Sequence, residues 1–117
     1  MVAKDEISRF LAQFHAKAKV FGISYFGGRE KNMNTLAELG ITAKLRDEIV
    51  KQITVEDYYK GPDPNTQNNL GDMWVFGKTV NSKEVYIKVT LGITNQSAIC
   101  ISFHTAEHPI KYPYKKE

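Results

Sequence analysis

The sequence predicts an α+β fold, with N-terminal helices packed on one face of a small antiparallel β-sheet. Two patterns predict it. Residues 4–20 repeat apolar side chains at steps of three and four, which is the period of an amphipathic helix. Residues 84–91 and 98–104 alternate apolar and polar side chains one by one, which is the period of a strand with one face buried. The helical pattern comes first and the strand pattern last. That order argues against the strand–helix alternation of a parallel α/β sheet. A length of 117 residues suits one domain, residues 1–117.

The elements follow in order. In the first helix Ile7, Phe10, Leu11, Phe14 and Ala18 form one stripe, with Arg9, Gln13, Lys17 and Lys19 largely away from it. Residues 21–26 alternate loosely as a short strand, ended by Gly27-Gly28. Asn34 is placed to cap a short helix over 35–39, and Gly40 to stop it. Thr42 caps a helix over 43–52, with Leu45, Ile49 and Val50 inward. Thr54 opens a single turn over 55–59, with Asp57 in the capping-box position and Gly61 past the end. Residues 61–72 are dense in turn formers and predict a long loop, a size that often carries function. A three-strand antiparallel meander begins at 73–80, turned by Asn81-Ser82-Lys83. Either Trp74 and Phe76, or Met73 and Val75, face the core.

The last hairpin has two unlike faces. Val85, Ile87, Val89 and Leu91 join Ile99, Ile101 and Phe103 as core. Tyr86, Lys88 and Thr90 join Ser102 and His104 on the other side. A two-residue turn at Asn95-Gln96 would set Lys88 opposite Phe103 and mix the faces. A three-residue loop, Thr94-Asn95-Gln96, sets Lys88 opposite Ser102 and Tyr86 opposite His104. A bulge at Gly92 would do the same. The unmixed arrangement is expected, because burying an unpaired lysine costs several kcal/mol.

Composition narrows the function classes. Apolar content of 42% and charged content of 25% are those of an ordinary soluble globular chain. The net charge of +3 is compatible with a polyanionic partner without requiring one. No apolar run approaches the ~20 residues of a membrane span. The first residues lack the charged-then-apolar order of a signal peptide, so no membrane partner and a cytoplasmic location are expected. The single Cys100 excludes an internal disulfide and reads, between Ile99 and Ile101, as a packing residue.

No metal or cofactor is expected. His15, His104 and His108 are far apart or isolated in the chain, and Asp63, Asn65 and Asp72 do not have the spacing of a calcium loop. Gly22 and Gly27-Gly28 do not make a phosphate-cradling motif, no serine sits in a nucleophile elbow, and no paired carboxylates mark glycoside hydrolysis. What remains is a polar face carrying a histidine, a tyrosine and lysines. Cleavage of RNA by its own 2′-OH needs a base for the 2′ proton, an acid for the departing 5′ oxygen and a cation for the charge on phosphorus. These residue types can supply all three. A cross-strand Tyr–His pair on a wet sheet face explains the same residues without any chemistry.

The order of short motifs adds to this. Ala37-Glu38-Leu39-Gly40-Ile41 is followed by Asp57-Tyr58-Tyr59-Lys60 and then by Met73-Trp74. Val85-Tyr86-Ile87-Lys88-Val89-Thr90 and Ile101-Ser102-Phe103-His104 complete the set. In this order and at these intervals, residues 36–104 resemble the MqsR family of bacterial toxins, RelE-like endoribonucleases that cut mRNA. The resemblance implies a RelE-like fold, an mRNA substrate that is cut on or off the ribosome, and inhibition by a cognate antitoxin protein. It implies catalytic roles for Lys60, Tyr86 and His104, where His104 replaces a lysine of the family. His104 would act as general acid or base, and Lys60 and Lys88 would hold phosphate charge. Lys78 and Ser102 are further substrate-contact candidates. The family's glutamine after the tryptophan falls here on Val75, which cannot do polar chemistry; Gln67 is the available substitute. That departure leaves a non-catalytic RNA- or protein-binding module of the same fold as the alternative.

Residues 105–117 form a basic and aromatic C-terminal extension beyond the family's usual end. Two prolines there rule out a helix. Lys111 and Tyr112 are candidates for backbone contact and base stacking, and an equal reading has the tyrosines packing back on the domain. His108 is a second candidate for proton transfer.

Overall fold

The structure is a computed structural model that describes residues 2–64 and 70–115. Its first element, α1 (Lys4–Phe21), buries Ile7, Phe10, Leu11, Phe14 and Ala18, the predicted stripe. Asp5 and Glu6 in its first turn and Lys19 in its last complement the helix dipole. Next come β1 (Ile23–Tyr25), α2 (Arg29–Leu39), α3 (Ala43–Lys51) and a 3₁₀ turn (Val55–Asp57). The remaining strands are β2 (Tyr58–Asp63), β3 (Met73–Val80), β4 (Lys83–Thr90) and β5 (Ala98–Thr105). Three helices therefore precede most of a five-stranded sheet, an α+β arrangement.

The sheet order is β1-β5-β4-β3-β2. It is mixed rather than purely antiparallel, because β1 runs parallel to β5 at one edge. Three residues are too few to show a preferred partner or direction in the sequence. The β3–β4 turn uses Asn81 and Ser82, both at positive φ, the geometry that suits the twist of a two-residue hairpin. It aligns Trp74 with Val89 and Phe76 with Ile87 on the core side. Trp74 and Phe76 are therefore the inward pair. Phe10 stacks on Trp74 at 4.8 Å between ring centroids and on Phe76 at 6.3 Å, which fastens α1 to this face.

Several expectations change. α2 begins at Arg29, so Asn34 lies inside the helix and is not its cap. The early turns of α2 are polar and bury almost nothing, so no apolar stripe announced them. Gly40 does end α2, in the left-handed conformation. Thr42 caps α3 by accepting the Leu45 N–H at 3.1 Å, but Leu45 itself points outward and is 41% exposed. The capping box at Thr54 and Asp57 is present. The turn ends at Asp57, and the next residues pair with β3, so the predicted loop start at 61–63 is strand. An edge strand tolerates Pro62 because its N–H side needs no partner. No helix among the described residues is long and apolar enough to cross a membrane.

Candidate active site

The helices cover one face of the sheet. The other face carries a cleft of about 320 Å³. Two β-bulges build it. In β2, Tyr58 sits opposite Phe76 on the core side, while Lys60 sits opposite Val75, only one residue back along β3. Tyr59 is the extra residue. Without it, side-chain alternation would return Lys60 to the core side. In β5, Cys100 sits opposite Val89 and Ser102 opposite Lys88, so Ile101 is the extra residue. The bulge moves Ser102 and His104 onto the open face.

The outcome is two rows across the sheet. One runs Lys60, Val75, Lys88, Ser102, and the other Gly77, Tyr86, His104. The predicted pairings of Tyr86 with His104 and of Lys88 with Ser102 are thus present. Their cause differs from both expectations. The loop over residues 91–97 is longer than three residues, and the bulge lies at Ile101 instead of Gly92. The core contribution of β5 shifts accordingly. Ala98, Cys100 and Phe103 join the core, whereas Ile99 pairs with Thr90 on the opposite face. Burial pushes the Cys100 thiol up to about 12, which suits a packing residue.

The rings of Tyr86 and His104 stack 5.0 Å apart at 13°. His104 Nδ1 lies 2.9 Å from the Thr105 carbonyl oxygen. A carbonyl only accepts, so Nδ1 carries the proton in this contact, and in the neutral ring the lone pair is then on Nε2. Burial raises the Tyr86 phenol above its ordinary range, opposed by the charge of Lys60 and aided by Tyr59 and Asp63. The phenol therefore stays protonated near neutrality. Lys88 Nζ lies 5.9 Å from the Tyr86 ring centre and Lys60 Nζ 5.5 Å from that of Tyr59. Neither lysine forms an ion pair among the described residues.

The structure thus brings Lys60, Tyr86, Lys88, Ser102 and His104 to one cleft. Tyr59, Glu107 and His108 line it too. Tyr59 and Glu107 had no signal of their own in the sequence, since the first depends on a bulge and the second on the course of the tail. Lys78 does not reach the cleft. It shares a row with Val85 on the helix side, and its Nζ pairs with Asp57 Oδ2 at 2.9 Å. Tyr112 is also placed elsewhere. It packs over Gly77, and its hydroxyl donates to Glu84 Oε2 at 3.1 Å. Lys111 is exposed outside the cleft. Val75 is fully buried and offers no polar atom from its side chain, and Gln67 and Asn65 lie outside the described residues.

The tail is a strap across the sheet. Ala106 N–H donates to the Glu84 carbonyl at 2.8 Å and Ile110 N–H to Glu84 Oε1 at 2.8 Å. Ile110 is buried, and Tyr114 donates to the Val2 carbonyl beside α1. Of the two tail readings, the packing one describes its tyrosines.

Among the described residues, no three His, Cys, Asp or Glu side chains converge as metal ligands. In comparisons with known proteins, no family model, curated protein or solved structure matches this chain.

Proposed function

We propose that this protein is an endoribonuclease toxin that cuts mRNA by attack of the 2′-OH on the adjacent phosphate, and that a cognate antitoxin protein holds it inactive. The observation that supports this reading is one cleft holding two lysines without ion-pair partners beside a histidine whose Nε2 is free to accept a proton. Lys60 and Lys88 flank the scissile phosphate and stabilise the added negative charge in the transition state. His104 Nε2 takes the 2′ proton. Tyr86 holds the imidazole by stacking and donates a hydrogen bond from a phenol that keeps its proton. The new 2′-O–P bond forms as the P–O5′ bond breaks, leaving a 2′,3′-cyclic phosphate and a 5′-hydroxyl. The resemblance of residues 36–104 to the MqsR toxins supports the same reading. An acidic antitoxin segment is the natural cover for a basic face.

The test incubates purified protein with mRNA in excess chelator, beside the double variant His104→Ala, Tyr86→Phe. The wild type should cut, and the variant should lose a factor of about 10²–10⁴, the usual share of acid–base catalysis. No cleavage by the wild type, or equal cleavage by the variant, rejects the reading. Growth arrest on induction, relieved by the adjacent open reading frame, tests the antitoxin. The complete burial of Val75 favours a second reading, a non-catalytic module that binds RNA or a protein on this face. In that case wild type and double variant bind RNA and neither cuts it.

A further inference from the structure

The reaction above moves two protons, and His104 accounts for one. The departing 5′ oxygen needs a second group. Tyr86 is a poor donor, because burial favours its protonated form. Lys60 and Lys88 already serve in this reading as the cations that neutralise charge on the phosphate.

The strap supplies an alternative. Glu84 holds it at two points, through its carbonyl to Ala106 and through its carboxylate to Ile110. Only residues 107–109 lie between these anchors. The Glu84 carboxylate also accepts the Tyr112 hydroxyl, and Ile110 and Tyr112 both pack where Gly77 lacks a side chain. A Cβ at Gly77 would lie 2.6 Å from the Tyr112 hydroxyl and 2.9 Å from Ile110 Cδ1. The short loop is therefore fixed at both ends and seated closely. It presents Glu107 and His108 to the cleft that holds His104, Tyr86 and the two lysines. His108 is exposed to solvent.

We propose that His108 is a second catalytic residue, the general acid that protonates the 5′ oxygen, carried to the cleft by a strap that Glu84 positions. This rests on the endoribonuclease reading and completes its proton balance. His104 Nε2 removes the proton from the 2′-OH as the 2′-O–P bond forms. The electron pair of the breaking P–O5′ bond takes the proton of the His108 imidazolium. The two histidines finish the step in exchanged protonation states and reset through water.

The test compares wild type, His108→Asn and His104→Ala on two substrates. One is ordinary RNA. The other carries sulfur in place of the bridging 5′ oxygen, so its leaving thiolate needs no proton. His108→Asn should cut ordinary RNA about 10²–10⁴-fold more slowly and the sulfur substrate within about threefold of wild type. His104→Ala should be slow on both. Binding of a 2′-deoxy substrate analogue by His108→Asn should match wild type. If the wild type cuts and His108→Asn cuts ordinary RNA equally well, or is equally slow on both substrates, the assignment is overturned while the endoribonuclease reading stands. A wild type that cuts neither substrate overturns both.

Discussion

Deleting Ile101 should leave the fold and the open face intact. A one-residue deletion within a strand normally sends every following side chain to the other face. Ile101 is the exception, because it is the unpaired residue of a bulge. Without it, Cys100 stays opposite Val89, Ser102 opposite Lys88, Phe103 opposite Ile87 and His104 opposite Tyr86. The loss is the packing of one part-buried isoleucine, about 1 kcal/mol or half the value of full burial. Deleting Phe103 is the contrasting case. It removes a core phenylalanine, worth about 3–5 kcal/mol, and turns His104 inward at about 1–3 kcal/mol more. That sum approaches the whole stability of a small domain, about 5–15 kcal/mol. Urea denaturation gives the two stabilities, and nuclear Overhauser contacts between the Tyr86 and His104 rings, stacked 5.0 Å apart, give the register. The reasoning fails if the Ile101 deletion is as damaging as the Phe103 deletion, or if it folds without the Tyr86–His104 contact.

Glu84→Ala should free the strap. It removes two hydrogen bonds to a carboxylate, about 3 kcal/mol at the low end suited to a part-exposed site, so exchange of the Ile110 amide should rise roughly 100-fold; unchanged exchange refutes the latch. In an alkaline titration at 295 nm, Tyr25 and Tyr112 should ionise last. Burial raises both phenols, aided by the hydrogen bond to Asp47 for Tyr25 and to Glu84 for Tyr112. A folded-state value above the unfolded one gives stability that is complete below pH ~10 and lost as pH rises through the folded value, so both should titrate together with unfolding. Tyr25→Phe and Tyr112→Phe should each remove one late phenol, and an early loss in either variant contradicts the assignment. Gly61→Ala should cost about 2 kcal/mol or more in urea denaturation, because φ is +112° and the new Cβ would lie 2.7 Å from the Met73 carbonyl oxygen. A change within about 0.5 kcal/mol refutes it.

Long periodic segments were legible in the sequence, and short or polar ones were not. The α1 stripe, the β3–β4 hairpin, the helix stop at Gly40 and the helix cap at Thr42 follow from local pattern and capping chemistry. β1 and the first turns of α2 hold too few apolar residues to show a period. β2 was hidden because Gly61-Pro62 reads as a turn, and because the bulge at Tyr59 breaks its alternation. In the cleft, the Tyr86–His104 and Lys88–Ser102 pairs came from requiring unmixed faces. The residue that keeps the faces unmixed could not be chosen that way. A bulge at any nearby residue would satisfy the same requirement, and the packing of Ala98 and Cys100 against the core selects Ile101. Lys78 was misplaced because composition gives a lysine no face, whereas alternation from Trp74 and Phe76 does.

Val75 gives the lysine row its chemical sense. It lies between Lys60 and Lys88 in one row, so the backbones that carry the two lysines are two strand spacings apart, about 10 Å. Two long cationic side chains rooted at that distance can converge on one small anion without touching each other. A glutamine in the middle of the row would project a polar amide into that gap. Valine instead is fully buried and puts no polar side-chain atom there. The row holds two like charges with no ion-pair partner among the described residues, a mildly unfavourable arrangement that an anion would relieve. On the endoribonuclease reading proposed above, a valine here offers a phosphate no side-chain hydrogen bond and leaves its binding at this position to the charge of the lysines. On that reading, substrate selection would rest on the residues around the cleft, among them Tyr59 and the Glu84-anchored strap.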